Sequence, residues 1–345
     1  MSFFKRIFKR SKTSSSNDDK PVINTGTHVS APQLIALQQQ ARKLDLSRQA
    51  YATTSTTGLH RSRFRGRGMD YQESRIYQAG DDIRNMDWRV TARAGKPHTK
   101  LYQEERERPV VFFVDFNNSM FFGSTQSFKS VVAAKVTALL AWSVAAKGDR
   151  IGALLINKVH HELSPKMGKR GALQLIRELV KFSDPVKGLA LSEDSEKNNF
   201  NDELKRLRQL ARPGTLVVLV SDFYKINKES QHHLRRLSQH NDFLAIQVLD
   251  PLEMSPPPPD RYIVSDGYNN SGVINTRSTK GKEQYQKFFA QHHQRVSDLM
   301  QKLNIPLIQI STADDVQLTL QKYFGSTKRR SAVSSAPKTS SKKVA

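Results

Sequence analysis

Cysteine is absent from the 345 residues. Disulfides and thiolate metal sites are therefore excluded, as suits a protein of a reducing compartment. Long apolar runs are missing too, and none reaches the roughly 18 unbroken residues that a membrane-spanning helix needs. The opening MSFFKRIFKRSK interleaves Phe and Ile with Lys and Arg, without the apolar block of a secretory leader. Acid is in short supply: 32 Asp and Glu face 55 Lys and Arg, for a net charge of +23. Such an excess favours nonspecific contact with polyanions, whether nucleic acid, anionic lipid or an acidic protein. These features point to a cytoplasmic protein, with the inner face of the membrane as a second place to find it.

What is present divides the chain into four parts. Residues 1–57 form a basic, Ser- and Thr-rich extension expected to be largely disordered. One helix is predicted there over 32–46, from Pro32 at its start and Leu34, Leu37, Ala41 and Leu44 at helical spacing. At the extreme start, Phe3, Phe4, Ile7 and Phe8 would share one helical face, a pattern that suits either a flexible tail or a short surface anchor on anionic lipid. Residues 58–108 are dense in Arg, Gly and Asp, with little periodicity. Residues 109–325 alternate strand and helix, and residues 326–345 are a basic tail.

In the third part the apolar runs VVFFV, RIGALLI, TLVVLVS, DFLAIQVL and IPLIQI read as buried strands. Between them lie helical patterns over Ser127–Gly148, Gly171–Phe182, Phe200–Leu210 and Lys228–Gln239, a long amphipathic one from Tyr285 to Leu303, and a last one over Thr312–Phe324. Uninterrupted apolar strands alternating with helices mean an α/β fold: an open, mainly parallel sheet covered on both faces. SPPPP cannot enter that sheet, and the following RYIVSDGYNNSGVINT reads as a small β-hairpin excursion with its turn around Asn269–Gly272.

Three of these strands end in acid: Asp115, Asp222 and Asp250. Open parallel sheets place their sites at the carboxyl ends of strands. Asp115, Asn117 and Ser119, at alternate positions in DFNNSM, offer one carboxylate and two neutral oxygens within a turn. With Asp222 as a second acid, the set suits a hard divalent cation such as Mg²⁺ or Mn²⁺. The alternative is structural: Asp115 caps the following turn by accepting from backbone N–H groups.

DFNNSM resembles the Asp-x-Ser-x-Ser metal-ion-dependent adhesion motif of von Willebrand factor A domains, and VSDF resembles their later Asp loop. Asn117 stands where that motif has Ser, and NNFNDELKRL supplies no Thr for the intervening loop. The run from Gly58, and above all GDDIRNMDWR (Gly80–Arg89) with DPLE at Asp250–Glu253, is similar to the bacterial family known as domain of unknown function fifty-eight. That resemblance spans about Leu59 to Phe324 and implies a von Willebrand factor A-like (Rossmann-like) domain behind an irregular N-terminal module. It also implies partnership with a MoxR-type AAA+ ATPase, for which such proteins act as adaptors or co-chaperones toward an unknown client. A metal held by Asp115, Asn117, Ser119 and Asp222 would then leave one position for a partner's acid.

In Gly80–Arg89, the residues Gly80, Asp81, Asp82, Arg84, Asp87, Trp88 and Arg89 form either a docking patch or a loop braced by Asp–Arg pairs with Trp88 as its apolar pin. RSRFRGRG (Arg61–Gly68) matches Arg- and Gly-rich nucleic-acid segments without a complete motif around it. The pairs His160–His161, His232–His233 and His292–His293 are read as surface or partly buried side chains, because helix neighbours point apart. No phosphate loop and no Ser–His–Asp set is recognisable. The expectation is a non-enzymatic interaction module, and the competing one a basic protein whose tails grip nucleic acid or a membrane surface.

Overall fold

A six-stranded sheet fills the middle of the computed structural model, which describes residues 26–46, 69–104, 108–157, 159–186, 200–265 and 271–325. In chain order the strands are β1 (Met69–Ile76), β2 (His98–Glu104), β3 (Val110–Asp115), β4 (Arg150–Ile156), β5 (His160–Met167), β6 (Leu216–Ser221), β7 (Asp242–Leu249), β8 (Arg261–Ser265), β9 (Ser271–Asn275) and β10 (Leu307–Ser311). The helices are α1 (Ala31–Ala36), α2 (Gln38–Ala41), α3 (Trp88–Ala94), α4 (Lys129–Ala146), α5 (Gly168–Phe182), α6 (Phe200–Leu210), α7 (Lys228–Ser238), α8 (Pro251–Met254), α9 (Thr279–Lys302) and α10 (Val316–Phe324).

The large sheet runs β10-β7-β6-β3-β4-β5, with parallel pairs throughout except for β5, which lies antiparallel on β4. From the β5 edge, and counting only these six strands, the order is 3-2-1-4-5-6. This is the doubly wound order, and its topological switch point falls between β3 and β6. The fold is the expected α/β one, an open, mainly parallel sheet covered by helices on both faces. β5 is absent from the sequence reading because HHELSPKM is a polar edge strand in which Leu163 alone is buried and Pro165 is tolerated.

Period-two alternation sends successive side chains of each strand to opposite faces. Val110, Phe112 and Val114 join Ala153, Leu155, Val218, Val220, Ile246 and Val248 against α4, α5 and α10. Val111 and Phe113 join Leu154, Val217, Leu219 and Ala245 against α6, α7 and α9. Helix α4 is buried on nearly all sides, so it shows no amphipathic stripe. Among the described residues it alone has the length and hydropathy of a membrane span, and 83% of it is buried in this core.

Residues 26–46 belong to the domain instead of extending from it. Val29, Leu34, Ala41, Leu44 and Leu46 enter the same core as α4. The Trp142 indole N–H donates to the Leu34 carbonyl at 3.0 Å, and the Ser143 hydroxyl donates to the Leu44 carbonyl at 2.8 Å. The single helix expected over 32–46 is two short ones, α1 and α2, broken at Leu37. The basic start, the Arg61–Gly68 run and the basic tail lie outside the described residues.

The 58–108 segment, expected to be irregular, contains an antiparallel pair, β1 with β2, and the helix α3. β8 and β9 form the expected antiparallel pair, but Ser271 and Gly272, placed in the turn from the sequence, belong to β9, and residues 266–270 lie outside the described residues.

Candidate functional site

The tips of β3, β6 and β7 converge at the switch point. Asp115 ends β3, Asp222 follows β6, and Asp250 follows β7; all three are buried. Asp115 Oδ1 accepts from the Asn117 backbone N–H at 2.9 Å and from its Nδ2 at 2.5 Å. Its Oδ2 accepts from the Ser221 hydroxyl at 2.7 Å, and Ser221 Oγ in turn accepts from Phe223 N–H at 2.9 Å. So Asp115 does cap its own turn, as the alternative reading had it. Phe223 adopts φ 62°, the left-handed region that non-glycine residues seldom enter, at the sharp turn leaving Asp222.

Asp222 is held differently. The Lys129 ammonium, at the start of α4 and 1% exposed, donates to Asp222 Oδ2 at 3.0 Å and to Glu253 Oε1 at 2.6 Å. Asp222 Oδ1 accepts from Tyr224 N–H at 3.2 Å, and the Ser119 hydroxyl is bonded to the same carboxylate. The Tyr224 ring lies under the ammonium, 5.4 Å from nitrogen to centroid, and stacks on His292 at 3.9 Å. His292 is buried in this stack, with Nε2 2.9 Å from the Asp222 carbonyl. The histidine pairs are thus not all peripheral.

Glu253 reaches Lys129 because DPLE is a capping box opened by a proline. Asp250 accepts from Leu252 N–H at 3.0 Å while its own N–H donates to Glu253 Oε2 at 3.0 Å, with Pro251 at the first helical position. Asp250 also ties two loops together, accepting from Ser124 N–H at 2.8 Å and from the Thr312 hydroxyl at 2.7 Å. It anchors this edge of the sheet and leaves Asp222 and Glu253 to face the lysine.

The electrostatics follow from burial against pairing. Burial pushes the Asp115 carboxyl up to about 6, and the neighbouring Asp222 charge adds to it. Burial also pushes Asp222 up, but the Lys129 ammonium and the Ser119, Lys129 and Tyr224 donors outweigh it and hold the carboxyl below its ordinary value. Glu253 is raised by burial despite Lys129. For Lys129, burial alone would lower the ammonium's pKa, and the charges of Asp222 and Glu253 reverse that, so it stays protonated.

A hard divalent cation asks for about six oxygens in a regular shell. Here Asn117 Oδ1 accepts from the exposed Lys225 ammonium at 2.7 Å, Asp222 is taken by Lys129, and the Ser119 hydroxyl is bonded to Asp222. Among the described residues no cluster of three or more His, Asp and Glu is disposed to hold a metal. The four residues come together as the sequence suggests, yet Asp222 and Asn117 each face an ammonium and Asp115 is taken by Asn117 and Ser221, and so arranged they do not fit such an ion. Asn201, one of the loop positions considered in place of Thr, is buried elsewhere, bonded to Glu229 and Ser230.

The second candidate, Gly80–Arg89, is a braced loop. Gly80 has φ 107°, open only to glycine at low cost. Asp81 accepts from Arg75 at 2.6 Å and from Gln78 N–H at 2.9 Å, and Asp82 accepts from Arg84 N–H at 3.0 Å. Asp87 is buried, caps α3 through Val90 N–H at 3.2 Å, and accepts from the Ser74 hydroxyl at 2.7 Å. The three acids are consumed in this bracing. Trp88 is not the pin: it is 67% exposed, as are Ile83 at 63% and Ile76 at 55%, and Arg84 and Arg89 are exposed beside them. Ile76 pairs in register with His98, whose carbonyl takes the Asp87 N–H at 2.8 Å, so the β1 end and the α3 start flank one residue.

A family model described as protein of unknown function DUF58 matches residues 73–295. The chain belongs to the DUF58 family. The match runs from β1 into α9 and so takes in both the braced loop and the strand-tip cluster. Uncharacterized protein Rv1480 of Mycobacterium tuberculosis (strain ATCC 25618 / H37Rv) is 27% identical over 276 residues, 79% of this chain and 84% of that protein. Among solved structures, conserved hypothetical protein BatB from Bacteroides thetaiotaomicron aligns with 12% identity and a TM-score of 0.38, over 62% of this chain and 96% of that one. A von Willebrand factor type A structure from Catenulispora acidiphila aligns with 12% identity and a TM-score of 0.30, over 44% and 34%.

Sequence reasoning did not single out Lys129, Lys225 or Ser221, and named Glu253 and His292 without placing them in the site. A signal for the first was present: a lysine opening SFKSVVAAKVTALLAW, a run apolar enough to be buried, needs an acid to meet.

Proposed function

We propose that this DUF58 chain is a non-enzymatic docking module of the cytoplasm, and that its working surface is the exposed Trp88 patch. The observation that carries this is the 67% exposure of Trp88 at the start of α3, beside a loop whose acids are all engaged internally. An exposed tryptophan beside exposed isoleucines and arginines has the composition of an interface hot spot. Arg84, Arg89, Arg93 and Lys96 are all exposed around it, so the fitting partner segment is apolar at its centre and acidic at its flanks. From the family resemblance, the partner is a MoxR-type AAA+ ATPase acting on a client protein. Attachment of a partner acid through a metal at Asp115 and Asp222 forms no step of this reading, because Asp222 is taken by the Lys129 ammonium and Asp115 by Asn117 and Ser221. The net charge of +23 speeds the encounter at low salt, and added salt slows it.

The test is surface-plasmon binding of the purified ATPase to the full-length chain. Trp88→Ala is expected to weaken binding by about 2 kcal/mol, roughly thirtyfold in Kd. Unchanged affinity in Trp88→Ala, with loss on deleting residues 1–25 and 326–345, would transfer the function to the basic tails.

A further inference from the structure

We infer that Lys129 is the resident cation of the strand-tip site: its ammonium stands in for a divalent metal. Asp222 stands at the switch point, where a doubly wound sheet gathers a ligand, and Glu253 follows the next strand, β7. Here the α4 side chain enters between the two from inside the protein. Its nitrogen bridges oxygens contributed by two different strand ends, Asp222 Oδ2 after β6 at 3.0 Å and Glu253 Oε1 after β7 at 2.6 Å. Such bridging is what a bound metal does in a site of this kind.

Everything around the amine closes the position. Lys129 is 1% exposed and Asp222 1%. The Tyr224 ring covers the ammonium at 5.4 Å, and His292 backs that ring in a parallel stack. An aromatic face stabilises a cation that sits over it. The remaining oxygens have their own donors: Asp115 takes Asn117 and Ser221, and Asn117 Oδ1 takes Lys225. A divalent ion entering beside Lys129 would meet a fixed positive charge at close range in a poorly screened interior. It would also have to shed most of its water to enter. The Asn at position 117 is consistent with this arrangement, because its amide donates to Asp115 through Nδ2 while accepting from Lys225 through Oδ1.

Removing the lysine should therefore open a metal site that the natural chain lacks. Mn²⁺ is titrated into the full-length protein, and free ion is followed by electron paramagnetic resonance. The wild type and Lys129→Arg are expected to leave Mn²⁺ free. Lys129→Gln is expected to bind it saturably, at least about tenfold more tightly than the wild type, and Lys129→Gln/Asp222→Asn is expected to lose it. Saturable Mn²⁺ binding by the wild type, abolished in Asp222→Asn, would overturn the inference even if Lys129→Gln failed to fold. A folded Lys129→Gln that gains no Mn²⁺ affinity would overturn it as well.

Discussion

Lys129→Met is expected to lower the stability of the folded chain by about 3–5 kcal/mol at neutral pH, the range for removing one partner of a buried ion pair. Methionine keeps the apolar stem and the volume, so the loss isolates the charge. Asp222 and Glu253 would then be buried carboxylates with no cation between them. Each would become easier to protonate, so both folded-state pKa values would rise. A group whose folded pKa is raised contributes stability that is present at low pH and lost as pH increases. The deficit of Lys129→Met should therefore shrink in mildly acidic buffer. Adding Asp222→Asn to it should recover part of the loss at neutral pH. Urea unfolding of the three proteins at two pH values measures both effects. A deficit under about 1 kcal/mol, the scale of exposed ion pairs, would mean that the ammonium is not the counter-charge.

Asp115 carries the second large effect, with the opposite logic to a paired acid. Its folded carboxyl stands at about 6 because it is buried and faces Asp222, against an unfolded value of about 3.9. The folded state therefore holds this proton more tightly. The stability it contributes is fully present below about pH 4 and is lost as pH rises through about 6. Two pKa units correspond to about 3 kcal/mol, which the ionised group costs the fold above that window. Asp115→Asn cannot ionise, and its amide oxygen still accepts from Asn117. The stability of Asp115→Asn relative to the wild type should increase by about 2–3 kcal/mol between acidic and neutral pH. A flat difference across that range would show that Asp115 titrates normally in the folded chain.

The fold was legible in the sequence to the extent that burial writes itself into composition. VVFFV, LVVLVS and DFLAIQVL could only be strands covered on both faces, and their acid ends marked the functional edge of the sheet. The antiparallel β5 left no such trace, because an edge strand with one buried leucine reads like a loop. β1 and β2 were hidden for a similar reason: MDYQESRI and HTKLYQE are polar, and their pairing is fixed by partners about thirty residues apart. Residues 26–46 read as an extension because their few apolar side chains find their partners on α4, far along the chain.

The site was legible by position and misread in chemistry. The alternate placing of Asp115, Asn117 and Ser119 does bring them together, and Asp222 does stand nearby. What spacing could not convey is that two lysines from other segments reach this cluster, Lys129 at Asp222 and Lys225 at Asn117. Lys129 lies on a helix ten residues past the motif, and Lys225 three residues past Asp222. Trp88 shows the complementary failure. A tryptophan amid acids and arginines looks like an apolar pin, but capping by Asp82 and Asp87 already holds the loop and leaves the indole outside.

The central claim, that a lysine occupies the cation position, is tested most directly by observing that lysine. With side-chain carbon-labelled lysine in the full-length protein, the Lys129 signal can be assigned by its loss in Lys129→Arg and followed as pH and Mg²⁺ are varied. The account predicts an ammonium that stays protonated beyond the usual lysine range, in keeping with its raised pKa, and does not respond to added Mg²⁺. A signal that moves saturably with Mg²⁺, or an amine that deprotonates near neutral pH, would contradict it.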